Sequence, residues 1–238
     1  MIYIRSGLFY IFFVSTTILL AVVVVLSRVF GEEFAWNVAK LWGVSSNLYL
    51  RIFCGVRVVI EGQEHIPDEP CVIVAKHQST WEATTLPIYL PHFAWVLKKE
   101  LMMIPLFGWA LYAIGTIAIK RSNPREALKQ VNDKGLSMLE SGRSVLIFPE
   151  GTRTAVGEVG NYQPSAIMLA KKAGVAILPV AHNAGVCWPK GSILKHSGTI
   201  TMRFLPVISA EDVQEKKRAD LLLQCEESIE QACRELKG

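Results

Sequence analysis

An uncharged stretch near the amino end constrains the fold of this chain most. Residues 8–26 form a run of 19 residues without Asp, Glu, Lys or Arg, and Arg5 and Arg28 flank it. As a helix the run would extend about 28 Å, close to the thickness of a membrane's hydrocarbon layer. It is longer than most signal-peptide cores, and no small-residue cleavage motif follows it. The run predicts a membrane anchor helix over residues 1–30, with a cleaved signal peptide or a half-inserted hairpin as alternatives.

A second, more polar segment follows at residues 36–53. It contains two tryptophans and a tyrosine, and Lys40, Asn47 and Arg51 interrupt its apolar residues. Such a segment is too polar to cross a membrane easily, but its aromatic and cationic residues suit the headgroup region. We therefore expect residues 31–55 to form an interfacial helical segment. An ordinary helix packed on the protein core is the alternative.

Beyond residue 55, short apolar segments alternate with helical patterns. Seven segments have the composition of strands: residues 56–60, 71–75, 94–97, 116–119, 144–148, 175–180 and 199–204. Five segments have helical patterns: residues 77–90, 105–114, 124–140, 164–172 and 212–236. The alternation predicts an α/β fold over residues 56–238, with a mixed sheet flanked by helices.

Composition excludes several classes of protein. At 51% hydrophobic residues the chain is too apolar for intrinsic disorder. The formal net charge of +4 favours anionic partners such as lipid headgroups only weakly, and no nucleic-acid partner is expected. The five cysteines are odd in number and lack C-x-x-C spacing, so no disulfide framework or metal site is expected. The G-x-S-x-G motif of serine hydrolases and the common nucleotide-binding glycine motifs are absent from the sequence.

Polar clusters follow three of the predicted strands. They occupy residues 76–82, residues 120–121 and residues 149–153. In α/β sheets, chemistry usually takes place at the loops that follow strand ends. If the three strands are neighbours, one pocket would hold a histidine, two carboxylates and two arginines. A histidine is the usual general base near neutral pH, and arginines bind phosphate through a planar set of donors. The clusters indicate deprotonation of a hydroxyl on a phosphate-bearing substrate.

The pairing of His77 with Glu82 depends on where the helix begins. On a regular helix, residues five positions apart point about 140° away from each other. The two side chains can therefore meet only if His77 precedes the helix. The sequence Ser79-Thr80-Trp81-Glu82 has the S-x-x-E pattern of a helix-capping box, which supplies such a break. Glu82 could then orient His77 or simply cap the helix.

Four blocks of sequence resemble the glycerolipid acyltransferase family. H-Q-S-T-W-E at residues 77–82 resembles the H-x4-D block, and F-P-E-G-T-R at residues 148–153 matches a second block in full. G-T-I-A-I-K-R at residues 115–121 and I-L-P-V-A at residues 177–181 resemble the other two. The resemblance extends over residues 61–204. With an apolar amino-terminal segment and a similar length, the chain most resembles the bacterial members that acylate 1-acyl-sn-glycerol-3-phosphate.

The resemblance implies an activity and a set of site residues. His77 would be the general base, aided by Glu82, and would deprotonate the sn-2 hydroxyl of lysophosphatidate for attack on an acyl thioester. The product would be phosphatidate. The residues that the resemblance assigns to substrate binding are Arg121, Glu150, Gly151, Thr152 and Arg153.

The resemblance also implies partners and a location. The donor would be acyl-CoA or acyl carrier protein, without a further cofactor, and membrane lipids would be partners. The site would face the cytoplasm at the bacterial inner membrane. Alternatives are an acyltransferase for another lyso-lipid, such as a lyso-ornithine lipid or a lysophospholipid, and a non-catalytic lipid-binding protein.

The sequence departs from the family pattern at two places. Glu82 stands where the family usually has Asp, so the carboxylate is kept on a longer side chain. Residues 162–165, Tyr-Gln-Pro-Ser, replace a stretch in which the family often has Lys and Gly. A basic contact to phosphate from that stretch is therefore not expected.

Overall fold

A computed structural model describes residues 1–120 and 122–236. The helices are α1 (Ile2–Ser27), α2 (Glu32–Tyr49), α3 (Trp81–Tyr89), α4 (Phe107–Ala113), α5 (Pro124–Glu140), α6 (Ser165–Ala173), α7 (Ala210–Glu215) and α8 (Arg218–Glu235). The strands are β1 (Val56–Glu61), β2 (Val72–Ala75), β3 (Phe93–Lys98), β4 (Ile117–Ile119), β5 (Ser144–Ile147), β6 (Ile177–His182) and β7 (Gly198–Phe204).

The strands form one mixed seven-stranded sheet in the order β1-β7-β6-β2-β5-β3-β4. Strands β6, β2, β5, β3 and β4 are parallel, and β7 pairs with β6 in the antiparallel direction. The predicted mixed α/β sheet flanked by helices is confirmed. Because β2 and β5 are neighbours, the polar clusters that follow them meet at the carboxyl edge of the sheet.

Alternating side chains on the strands build two hydrophobic cores. On β2, Ile73 and Ala75 pack with residues of α1 to α4, whereas Val72 and Val74 pack with residues of α5 to α8. This two-sided burial explains the continuous apolar composition of the parallel strands. The sheet therefore separates one layer that includes the amino-terminal helices from a second layer that includes α8.

Helices α1 and α2 form a hairpin that belongs to the first of these layers. Gly31 turns the chain between them at a φ of 110°, which favours glycine. Gly43 of α2 lies so close to α3 that an added Cβ would meet the Thr84 carbonyl oxygen at 2.1 Å. Trp36 is fully buried, so one side of the predicted interfacial segment packs on the core. Its opposite side exposes apolar residues such as Leu41 and Leu48.

The helix α1 is long and apolar enough to cross a membrane, judged by length and composition only. It also contributes to the protein core, because Phe9 is fully buried against Trp188. Exposed apolar side chains run along the rest of the helix and include Ile11, Leu19 and Leu26. The hairpin therefore has an apolar outer surface suited to membrane association and an inner surface that belongs to the fold.

One predicted helix is divided in the structure. The pattern over residues 212–236 predicts a single helix, but α7 ends at Glu215 and α8 begins at Arg218. Lys216 between them has extended backbone angles. The ammonium group of Lys171 accounts for the break, because it binds the carbonyl oxygens of Val213, Gln214 and Lys216 at the end of α7. A continuing helix would use these carbonyls itself.

Candidate active site

His77 and Glu82 form a hydrogen-bonded pair at the carboxyl end of β2. Helix α3 begins only at Trp81, so His77 precedes the helix and can turn toward Glu82 in its first turn. His77 Nδ1 lies 2.8 Å from Glu82 Oε1. The imidazole also stacks on the ring of Phe148, with centroids 4.0 Å apart. With Nδ1 engaged and the side chain 16% exposed, Nε2 is the nitrogen available to a ligand.

Glu82 binds the backbone of the turn before the helix and binds His77 at the same time. The same oxygen, Oε1, accepts the backbone N–H groups of Gln78 at 3.0 Å and of Ser79 at 2.9 Å. Burial alone would raise the pKa of this carboxyl, but the hydrogen bonds from His77 and from the Ser79 N–H outweigh burial and lower it below its ordinary value. Glu82 is therefore a carboxylate, and His77 Nδ1 carries the proton between them.

His182 lies behind Glu82 and is fully buried. Its Nε2 donates to the carbonyl oxygen of Lys76 at 2.8 Å, and its Nδ1 accepts the Ala184 N–H at 3.2 Å. Burial lowers the pKa of this histidine, which agrees with a neutral ring held between one acceptor and one donor. Its Nε2 is 3.8 Å from Glu82 Oε2, so His182 forms the inner wall of the carboxylate site.

The F-P-E-G-T-R block forms a turn directly after β5. The Gly151 N–H donates to the Phe148 carbonyl oxygen at 3.1 Å, and the φ of Gly151 is 66°. This turn places Thr152 and Arg153 on the wall of a cavity that also contains His77. Arg153 Nη1 donates to Thr80 Oγ1 at 3.0 Å, so the guanidinium is oriented toward the H-Q-S-T-W-E block at residues 77–82. The predicted site residue Arg121 lies outside the described residues.

Glu150 belongs to the same block as Arg153, but its side chain is buried in the protein instead of lining the cavity. Its side chain is fully buried and 3.3 Å from the Lys76 ammonium. Its Oε1 also accepts the backbone N–H of His77 at 3.2 Å. Burial raises the pKa of Glu150, although Lys76 acts in the opposite direction. The buried Glu150 carboxylate therefore contacts Lys76 and the backbone N–H of His77. The expected contact of Glu150 with substrate stays a prediction.

A cavity of about 660 Å³ extends from the histidine into the amino-terminal layer. Its polar end contains His77, Ser79, Thr80, Thr152 and Arg153. The remaining wall is largely apolar and comes mainly from α1, α2, α3, β3, α4 and the segment between β3 and α4. The apolar wall includes Phe13, Ala21, Trp42, Leu101, Ile104, Leu106, Phe107, Ala110 and Leu111. This volume lies within the range of about 300–1,000 Å³ typical of small-molecule sites.

Sequence reasoning missed several parts of this site. It gave no role to His182, to Lys76 or to the cavity wall from α1. The partner of His182 lies 106 positions away, so local sequence carries no signal for the contact. Within residues 1–120 and 122–236, no group of three or more His, Cys, Asp or Glu is arranged to hold a metal ion.

The chain is similar to known acyltransferases over most of its length. The family model described as Acyltransferase matches residues 57–183. A 1-acyl-sn-glycerol-3-phosphate acyltransferase of Pseudomonas aeruginosa is 43% identical over 186 residues, covering 78% of this chain and 72% of that protein. The chloroplastic enzyme LPAT1 of Arabidopsis thaliana is 33% identical and covers 75% of this chain. The match spans only 50% of the Arabidopsis protein.

A solved structure has the same fold. The 1-acyl-sn-glycerophosphate acyltransferase of Thermotoga maritima superposes with a TM-score of 0.84 at 23% identity. The match covers 100% of this chain and 96% of the Thermotoga chain, so the likeness includes the amino-terminal hairpin as well as the sheet. The resemblance to the glycerolipid acyltransferases predicted from four sequence blocks is confirmed.

Proposed function

The chain belongs to the acyltransferase family, and on that premise we propose that it transfers a fatty acyl group from a thioester donor to the sn-2 hydroxyl of 1-acyl-sn-glycerol-3-phosphate. The product is phosphatidate, a precursor of phospholipids. One observation carries the proposal: the His77–Glu82 pair and Arg153 lie at the polar end of a large apolar cavity. A base, a phosphate-binding cation and space for an acyl chain are the parts that this reaction needs.

In the reaction, His77 acts as general base. Nδ1–H donates to the Glu82 carboxylate, so Nε2 has the free electron pair that accepts the proton of the acceptor hydroxyl. The hydroxyl oxygen then attacks the thioester carbonyl carbon, the carbon–sulfur bond breaks, and His77 returns the proton to the leaving thiolate. The acceptor oxygen is the nucleophile, so an acyl-enzyme intermediate is not required. Glu82 stabilises the imidazolium that forms transiently.

Arg153 binds the phosphate of the acceptor. Its guanidinium lines the same cavity as His77, and the bond to Thr80 Oγ1 uses only one of its five N–H donors. The remaining donors suit a phosphate group, which arginine binds through paired, charge-assisted hydrogen bonds. Thr152, next to Arg153, is also part of the cavity wall, and the turn at Gly151 holds both residues there. Arg121, assigned to the same role by the family resemblance, stays a prediction.

The apolar cavity holds the acyl chain that is transferred. The thioester carbonyl must lie beside His77, and the cavity continues from His77 into the layer formed by α1 and α4. The chain already carried by the acceptor can remain in the lipid layer, because α1 exposes apolar side chains to the outside. Burial of an acyl chain contributes about 0.8 kcal/mol per methylene, which favours long-chain donors.

The protein works at a membrane surface through its α1–α2 hairpin, in bacteria at the cytoplasmic face of the inner membrane. The exposed apolar residues of α1 carry this assignment, and the donor, acyl-CoA or acyl carrier protein, is made in the cytoplasm. We expect Ile11→Glu with Leu19→Glu to weaken co-sedimentation with phospholipid vesicles, because both side chains are 63% exposed. Leu223→Glu, on the exposed side of α8, should not. If the variant with Ile11→Glu and Leu19→Glu co-sediments with vesicles as strongly as Leu223→Glu does, the exposed side of α1 is not the membrane-binding surface.

An acceptor panel tests the proposed function. Purified protein is supplied with a labelled acyl thioester and with 1-acyl-sn-glycerol-3-phosphate, glycerol-3-phosphate, lysophosphatidylcholine or a lyso-ornithine lipid. We expect label in phosphatidate and little label in the other products. Preferred acylation of a lipid without a phosphate monoester would replace the proposed acceptor. Absence of transfer to every acceptor would favour a lipid-binding protein without turnover.

A further inference from the structure

A buried ionic network lies directly behind the proposed general base. Lys76, the residue before His77, is 1% exposed. Its ammonium group contacts Glu230 Oε1 at 2.5 Å, the Glu158 carbonyl oxygen at 3.1 Å and Glu150 Oε1 at 3.3 Å. These three acceptors match the three N–H donors of the ammonium group. A buried lysine is tolerated only with such partners, so the network fixes the end of the Lys76 side chain.

The network connects the last helix to the backbone of the active site. Glu230 belongs to α8 and is 154 positions away from Lys76 in sequence. The Tyr162 hydroxyl donates to the same Glu230 oxygen at 3.0 Å. On the other side of Lys76, Glu150 Oε1 accepts the backbone N–H of His77 at 3.2 Å. A continuous series of polar contacts therefore runs from α8 to the amide group of His77.

We propose that Lys76, Glu230 and Tyr162 are positioning residues for acyl transfer, which act by holding Glu150 and, through it, the backbone of His77. This inference rests on the proposed function. None of the three lines the cavity, so they influence the reaction through the direction in which the His77 imidazole points.

Stability alone does not account for this network. A buried ion pair is often no more stabilising than well-packed apolar side chains of similar volume. Here two carboxylates share one ammonium group, and Glu150 Oε2 lacks a hydrogen-bond partner among the described residues. Such an arrangement is costly in a core, but its directional contacts fix a backbone position more sharply than apolar packing does. The contact of Glu150 with the His77 N–H places that position at the reacting group.

The substitution Glu230→Gln tests the inference, with Glu227→Gln as its control. Both residues lie on α8, but Glu227 is exposed whereas Glu230 is buried. Misplacement of a reacting group can lower the rate by up to about a hundredfold, and we expect kcat of Glu230→Gln to fall between about five- and a hundredfold. KM for lysophosphatidate and for the donor should stay within about twofold of wild type. Glu227→Gln should retain wild-type kcat.

Several outcomes separate positioning from a purely structural role. A folded Glu230→Gln protein with wild-type kcat would overturn the inference, as would a loss that appears only as a raised KM. If Glu230→Gln does not fold, Tyr162→Phe gives the test, because it removes one hydroxyl without leaving a charge unpaired. Tyr162→Phe should then lower kcat at unchanged KM, and a wild-type kcat in this folded variant would overturn the inference.

The wild-type protein in the same assay distinguishes this inference from the proposed function. If wild type transfers no acyl group to lysophosphatidate, the proposed function is wrong. If wild type is active, and both Glu230→Gln and Tyr162→Phe are folded and have the kcat of wild type, only the positioning role is wrong. The combined variant gives a further check, since residues of one network should lower kcat together by less than the product of their separate effects.

Discussion

His77 Nδ1 lies 2.8 Å from Glu82 Oε1, although the two residues are five positions apart and could not meet on one regular helix. The contact exists because α3 begins at Trp81, which leaves His77 in the preceding turn. The longer glutamate also accepts the N–H groups of Gln78 and Ser79. A single carboxylate oxygen therefore holds the turn that precedes the helix and fixes the tautomer of the proposed base.

Two substitutions of Glu82 should lower activity to different extents. Glu82→Gln removes the charge that stabilises the imidazolium, and we expect kcat to fall at least about tenfold. Glu82→Asp keeps the charge but shortens the side chain by one methylene, so it should retain intermediate activity. Assays of acyl transfer on both folded variants, with thermal unfolding as a check, measure the difference. Wild-type kcat in folded Glu82→Gln would reduce Glu82 to a helix cap.

The two buried carboxyls should affect stability with opposite dependence on pH. The pKa of Glu82 is lowered from 4.5, so its contribution to the free energy of unfolding is present above pH 4.5 and is lost as pH falls through the lowered value. The stability gap between wild type and Glu82→Gln should therefore narrow as the pH falls below 4.5.

Glu150 should behave in the reverse sense. Its pKa is raised from 4.5, so in wild type the carboxyl loses stabilising effect as pH rises from 4.5 through the raised value. Glu150→Gln should therefore gain stability relative to wild type over that range. Denaturant unfolding from about pH 2.5 to pH 8 measures both gaps, because the Glu82 window lies below pH 4.5 and the Glu150 window above it. The free energy of unfolding of wild type minus that of the variant should grow with rising pH for Glu82→Gln and shrink with rising pH for Glu150→Gln. If this difference also grows for Glu150→Gln, the effect of burial assigned to Glu150 is wrong.

Arg153 should determine the affinity for the acceptor but not for the donor. A hydrogen bond to a charged group contributes about 1.5–3 kcal/mol, so Arg153→Ala should raise KM for lysophosphatidate roughly tenfold to a hundredfold. Arg153→Lys should recover only part of this loss, because lysine lacks the planar set of donors. Arg234→Ala, an exposed change on α8, is the control. An unchanged KM for lysophosphatidate in Arg153→Ala would exclude the phosphate contact.

A larger side chain in the apolar cavity should change the preferred donor length. Ala110 of α4 lines the cavity and is 8% exposed. Ala110→Leu fills part of the space, and we expect kcat/KM for the longest donor to fall on the order of tenfold. Short donors should be little affected. Tyr112→Ala, on the outer side of α4 at 80% exposure, is the control. A uniform fall for all donor lengths would show general damage and contradict the acyl-chain assignment.

Much of the fold could be predicted from local patterns. The seven strands lie close to the predicted segments, because buried strands in a parallel sheet are short, apolar and bounded by polar turns. Helix α5 has its predicted bounds, since Asn123 caps it and Pro124 occupies the first turn. The break between α7 and α8 could not be predicted in this way, because it depends on Lys171, which is distant in sequence.

The same distinction holds for the site. His77 and Glu82 belong to one block, so their proximity could be deduced from the position of the helix cap. The contact between Lys76 and Glu230 joins residues 154 positions apart, and local sequence does not reveal it. The cavity wall from α1 was also not predictable, since an apolar helix gives the same pattern whether it faces lipid or packs against protein.

The kcat of His77→Ala is the most direct test of the proposed mechanism. A general base contributes about 10²- to 10⁴-fold to the rate, and removal of the imidazole should lower kcat for lysophosphatidate by that factor. The exposed His196 supplies the control, since His196→Ala should leave kcat unchanged. Thermal unfolding establishes that both variants are folded. Loss of turnover in His77→Ala alone is the predicted result, and a folded His77→Ala protein with wild-type kcat would contradict the mechanism.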